Sequence, residues 1–204
     1  MNLAEKDILK RVVELFSTYG VRSLSMDDIA RRIPLAKRNL LEIAKNKEDL
    51  IRRVFEYRMA LVGETMHRLK EQLITGNVID EILSVVHVLY TMTCEVGPHL
   101  EFELHKYYPL IYSEFAQIRK QHIINGLSNN IERGKEQGVY NKELDTRKTA
   151  EHIFAANKAL IENYLRECTQ DCNHEHIFRE CVNTMIELCA NEEGKRYFAQ
   201  KTEL

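Results

Sequence analysis

The residues best suited to chemistry lie in three stretches. "CTQDCNHEH", residues 168–176, gathers Cys168, Cys172, His174 and His176, with Cys181 close behind. Thiolates and imidazoles at that density can hold zinc or a soft metal such as copper(I). The spacing matches no standard zinc pattern, and two polar histidines flanking a loop are more often solvated, so no metal is expected. "HLEFELHKYYPLIY", residues 99–112, sets His99, Glu101, Glu103, His105, Tyr107, Tyr108 and Tyr112 around one short helix. Aromatic rings with a few polar tips suit a small-molecule pocket, although most of these side chains should pack core or face water. Its two carboxylates, at i and i+2, point to different sides of a helix and cannot share an acid–base task. "SMDDIARRIPLAKRNLLEIAKNKEDL", residues 25–50, outlines two short helices with a tight corner and a long third, the shape of a helix-turn-helix that reads DNA. There is no Ser-His-Asp set, no phosphate-cradling glycine loop and no dinucleotide fingerprint, so neither catalysis nor a cofactor is expected.

Positioning these residues takes helices. The 204 residues are 44% hydrophobic and 29% charged, with only 8 Gly and 3 Pro, too few tight turns for a sandwich or barrel. Apolar positions recur at three- and four-residue spacing, so an all-α chain of about nine helices is expected. The first, residues 4–19, carries Ile8, Val12, Leu15 and Phe16 on one stripe and stops at Gly20. Ser25 and Asp28 have the spacing of a capping box for the second, with Met26, Ile29, Ala30 and Ile33 inward. A third runs from about Ala36 to Ala44, and Asn46 can cap a fourth over 47–73. Helices over 77–96, 99–108 and 109–138 follow. Another starts at a cap on Asp145, a last one begins near His174, and the final dozen residues should be loose.

No apolar run approaches the roughly 18 residues of a membrane span. The start is charged from residue 5 and lacks a small-residue cleavage site, so it is not a signal peptide. Five cysteines, an odd number, fit reduced thiols in the cytoplasm. Residues 1–58 hold 13 Lys and Arg against 9 Asp and Glu, while 59–204 hold 16 against 22. A basic head on an acidic body fits a head that meets phosphates. In the last two long helices Ile153, Phe154, Ala156, Leu160, Ile161 and Tyr164, with Ile177, Phe178, Val182, Met185, Ile186 and Cys189, form wide apolar faces. One subunit's own helices should cover about half of that area, and a twin subunit the rest.

Residues 8–50 resemble the N-terminal domain of TetR-type transcriptional regulators. The likeness rests on Leu15-Phe16, Gly20, Ser25, Asp28-Ile29-Ala30, Lys37, Leu40 and the "NKEDL" opening the fourth helix. "IERGKEQGVYNKELDTRKTAEHI" is similar to the stretch such regulators carry before their dimerising helices. The resemblance implies a DNA-binding head over 1–58 and a ligand-binding, dimerising body over 59–204. It implies a homodimer, acting as a repressor on a double-stranded operator and released by a small-molecule effector. Ser25 would offer its hydroxyl and backbone N–H to a phosphate, Lys37 would take a phosphate, and Lys47 would clamp the backbone. Arg38 would pair with guanine and Asn39 with adenine. The 99–112 region would sit at the pocket mouth and move with ligand, making Tyr90, Glu101, His105, Tyr108 and Tyr112 the effector candidates.

The chain also departs from that family's pattern. Pro34 stands where a glycine usually supplies positive φ, and it should push Ile33 out of helical angles and end the second helix early. Ala36 replaces a Ser or Thr cap, Leu41 replaces a phosphate-holding Tyr, and Ile43-Ala44 replace an aromatic pair. Aliphatic residues thus stand at several expected DNA-facing positions. The alternative they raise is a ligand-binding or interaction dimer whose head no longer recognises DNA.

Overall fold

The computed structural model describes residues 3–33, 37–73, 76–94, 98–167 and 174–202. Among these the chain is all-α, as expected, with helices α1 (Leu3–Tyr19), α2 (Met26–Arg32), α3 (Lys37–Ile43), α4 (Lys47–Leu73), α5 (Val78–Cys94), α6 (Pro98–Tyr107), α7 (Pro109–Glu136), α8 (Thr146–Glu167), α9 (His174–Cys189) and α10 (Glu192–Thr202). No helix is long and apolar enough to cross a membrane. The chain divides into two units, Met1–Thr65 with Met92–Ile118, and Met66–Thr91 with Arg119–Leu204. The expected head, residues 1–58, falls inside the first unit, which also takes in α6 and the start of α7.

In the first unit the buried face of α1 is Leu9, Val12, Val13 and Phe16, with Ile8 and Leu15 half-buried beside it. The stripe is therefore turned by about one residue from the spacing read in the sequence. Gly20 ends α1 with φ +78, its N–H bonded to the Phe16 carbonyl at 3.0 Å. Ile29, Ala30 and Ile33 from α2, Leu40 from α3, and Leu50, Ile51 and Val54 from α4 close the same core, joined by Leu100, Leu104, Ile111 and Phe115. Asn46 caps α4 as expected, accepting from the Asp49 N–H at 2.9 Å, while Asp49 accepts from the Lys45 N–H at 2.8 Å.

The second unit is held by an apolar core and a short polar seam. Val78, Ile79, Ile131, Tyr140, Ile153 and Met185 are among its most buried side chains. Gln137 staples the start of α5 to α7, accepting from the Val78 N–H and donating to the Gly76 carbonyl, both at 3.0 Å. Buried Glu81 pairs with Arg133, and buried Asn130 donates to the Val78 carbonyl at 3.0 Å. The Tyr140 hydroxyl donates to Asn130 Oδ1 at 3.1 Å, so a fully buried ring keeps its polar end satisfied. Asp145 caps α8 as expected, its Oδ1 accepting from the Lys148 N–H at 3.1 Å.

The chain's end differs from expectation. The residues expected to be loose form α10, a tenth helix. Asn191 Oδ1 accepts from the Glu193 and Gly194 N–H groups, each at 3.0 Å, which starts the helix. Tyr197 and Phe198 then pack against the second core, and the Tyr197 hydroxyl donates to Asp80 Oδ2 at 2.5 Å. A cap and two packed rings outweigh the polar composition of the segment.

Candidate nucleic-acid interface

The interface begins at Ser25, whose angles (φ −82, ψ 166) are those of an N-cap. Its hydroxyl accepts from the Asp28 N–H at 3.1 Å, and its own N–H donates to Asp28 Oδ2 at 3.0 Å. Arg31 adds an ion pair to the same carboxylate. The Ser25 bonds come first, and with Arg31 they hold the Asp28 carboxyl well below its ordinary 3.8, at about 2. Both groups that the resemblance assigned to phosphate are thus engaged by an anion.

A depressed folded pKa means that the Asp28 carboxylate stabilises the fold fully above about pH 4 and loses that effect as pH falls toward about 2. Thermal midpoints of the wild type and Asp28→Asn should therefore differ at pH 7 and converge by about pH 2. A gap of constant size across that range would remove the carboxylate from the cap.

Ile33 has φ −93 and ψ 104, and α2 stops at Arg32, as a following proline requires. Pro34 and Ala36 lie outside the described residues, as does the side chain of Lys37. α3 shows a sharp division of faces. Leu40 is fully buried and Ile43 is half-buried against the core, whereas Arg38, Asn39, Leu41 and Glu42 face outward. Arg38 is very open, with 88% of its side chain exposed and its Nε 3.4 Å from Glu42 Oε1. Ala44 is only 1% exposed. It is a core position, not a DNA-facing one, because the chain turns inward there to start α4.

Lys47 does not stand free at the opening of α4. Its side chain is half-buried, and Nζ donates to the Arg22 carbonyl at 3.3 Å. Desolvation lowers its pKa, opposed by the charges of Glu103 and Asp28. Glu103, which the sequence placed only in a carboxylate pair, proves to be structural. Its Oε2 accepts from the Val21 N–H and from the Arg22 N–H, the latter at 3.2 Å. A Cβ on Gly20 would lie 2.9 Å from that carboxylate. The neighbouring Tyr107 hydroxyl accepts from Arg22 at 3.2 Å, and the Arg22 guanidinium lies 4.9 Å over the Tyr107 ring. α6 therefore grips the turn between α1 and α2 through Glu103 and Tyr107, a contact 82 residues apart that no local spacing announces.

Of the effector candidates, the side chains of Tyr90 and Glu101 lie outside the described residues. His105 and Tyr112 meet edge-on, their rings 5.0 Å apart. Tyr108 and Tyr112 are half-buried against the first core, and burial pushes the Tyr108 phenol up. The structure thus brings His105, Tyr108 and Tyr112 to one place.

Cys168 and Cys172, and the side chain of His174, also lie outside the described residues. Among the described residues no three potential ligands gather around a metal-sized site. Cys181 and Cys189 are buried, and desolvation pushes their thiols up to about 11 and about 12. They serve as small core side chains. On the expected twin-facing helices, Ile153, Ile177, Val182, Met185, Ile186 and Cys189 are buried within the subunit, whereas Phe154, Ala156, Leu160, Ile161, Tyr164 and Phe178 are only half-buried. The subunit covers about half of these faces, as expected.

Residues 8–54 match the family model for bacterial regulatory proteins of the tetR family. No curated protein matches the chain by sequence. Among solved structures, a transcriptional regulator from Cytophaga hutchinsonii superposes with a TM-score of 0.73 at 15% identity, covering 90% of this chain and 97% of that one. The fatty acid degradation regulator FadR from Bacillus halodurans gives 0.71 at 17% identity, covering 91% and 96%. FadR from Bacillus subtilis, solved in complex with stearoyl-CoA, gives 0.68 at 17% identity, covering 88% and 96%. At such identities the likeness is one of fold.

Proposed function

We infer that this chain, whose residues 8–54 form a tetR-family N-terminal domain on a body with the fold of TetR-type regulators, is a homodimeric DNA-binding transcriptional repressor of the cytoplasm, released by a small-molecule effector. The observation that carries the reading is α3. Leu40 anchors it in the core, and Arg38 and Asn39 stand exposed on its outer face. A guanidinium and an amide held out on a packed helix have the donor and acceptor geometry for base edges in a major groove. Two such heads on a two-fold axis would read half-sites one turn of DNA apart, so a small change in their separation spoils both contacts together.

The effector reading is supported by the His105, Tyr108 and Tyr112 cluster and by α6. Glu103 and Tyr107 hang the α1–α2 turn from α6, and Lys47 is bonded to that same turn. A ligand that displaced α6 would pull directly on the backbone of Val21 and Arg22. The bound stearoyl-CoA of one structural neighbour makes a ligand with an apolar body a sensible first trial.

Specific observations also favour a second reading, a ligand-binding dimer with a silent head. Ser25 and Lys47 are engaged within the protein, and Leu41 puts an aliphatic side chain, 40% exposed, on the outer face of α3. A salt series separates the two readings. The repressor should bind the DNA upstream of its own gene at least roughly a thousandfold more tightly than random duplex, with affinity falling as salt rises. Equal binding to both duplexes would leave only the silent-head reading.

A further inference from the structure

The outer face of α8 is complementary in charge to itself. Arg147, Glu151, Ala155, Lys158 and Glu162 form one exposed stripe, the positions i, i+4, i+8, i+11 and i+15 of a single helix face. Within the subunit the charges pair along the helix, Arg147 with Glu151 at 2.9 Å and Lys158 with Glu162 at 3.5 Å. All four keep about half or more of their side chains exposed. Their signs run plus, minus, plus, minus, and the pairs 147/162 and 151/158 share one midpoint, between Phe154 and Ala155. Reversing the stripe about that point therefore lays each charge against its opposite. The stripe lines a shallow concavity of about 410 Å³ with Phe154, Ala159 and Lys120 of α7. Half-buried Phe154 and Ile161 flank it, and the small side chain of Ala155 lies at its centre.

We propose that this face docks on the α8 of a second copy of the chain, antiparallel, with the two-fold axis passing between Phe154 and Ala155. Arg147 then meets Glu162 of the partner subunit, and Glu151 meets the partner's Lys158, each pair occurring twice by symmetry. A different protein would have to bring the inverse charge pattern, whereas a second copy brings it automatically. Ala155 lets the helices approach closely at the axis, and Phe154 and Ile161 beside the stripe supply the apolar part of the contact. The inference rests on the paired regulator described above and adds its register. It fixes which surface sets the separation of the two reading heads.

The test is a charge swap on the full chain, read as the dimer dissociation constant by sedimentation over a concentration series. Lys158→Glu places two pairs of like charges across the axis and should weaken the dimer by about tenfold or more. Glu151→Lys should do the same. The double variant Glu151→Lys/Lys158→Glu restores opposite charges between subunits and should recover most of the loss. Within one helix it has the reverse effect. The introduced ammonium would sit beside Arg147 and the introduced carboxylate beside Glu162, so intrachain repulsion is greatest in the double variant and cannot produce the recovery. Circular dichroism checks that all variants keep wild-type helicity, as exposed positions should. Single reversals that leave the constant unchanged, or a double variant no tighter than the singles, would overturn this register while the paired regulator stands. A wild type that sediments as one chain at every concentration would overturn both.

Discussion

Arg38→Ala should weaken binding to the protein's own operator by roughly 1–3 kcal/mol per half-site while barely changing affinity for random duplex. The expectation follows from how lightly Arg38 is held. Its ion pair with Glu42, at 3.4 Å and largely exposed, is weak in water and is readily exchanged for a guanine edge. It makes no contribution to the core, so its removal leaves α3 standing on Leu40. The loss should therefore appear as relaxed base preference at one position of each half-site, measured by competition among single-base operator variants. A preference that survives unchanged at every position would exclude Arg38 from base reading. A uniform loss on all sequences, with a shallower salt dependence, would make it a phosphate contact instead.

Gly134→Ala should be the most damaging single-methyl change in the second unit. A Cβ there would lie 2.1 Å from Tyr140 Cδ2, and the ring cannot retreat, because Tyr140 is fully buried and its hydroxyl is bonded to Asn130. The backbone is equally committed, since the Gly134 carbonyl accepts from both the Val139 and Tyr140 N–H groups, at 3.0 and 3.1 Å. Helix propensity alone would favour alanine over glycine by about 1 kcal/mol, so the sign of the effect tests the packing. Overpacking of this kind costs roughly 1–3 kcal/mol and should lower the thermal midpoint by several degrees. A midpoint that rose would show that Tyr140 does not sit on Gly134.

Most of the secondary structure was legible because its signals are local. Gly20, Ser25 with Asp28, Asn46 and Asp145 each start or stop a helix through atoms within four residues. Pro34 likewise announced the extended angles of Ile33. The outward positions of Arg38, Asn39 and Leu41 could be read because Leu40 and Ile43 mark the inner side of a short amphipathic helix. Ala44 misled because its neighbours in the family pattern are surface aromatics, whereas here the chain has already turned into the core.

The sequence by itself determined an all-helical chain with a helix-turn-helix near its start, since caps, breakers and apolar period act over one or two turns. Only the tertiary structure decided what the polar side chains do. It set Glu103 on the backbone of the α1–α2 turn, tied Lys47 to a carbonyl, and folded the final residues into α10 over Asp80. Those partners lie between 25 and 117 residues away. At such separations a charge or ring finds its place through packing, for which the chain carries no local mark.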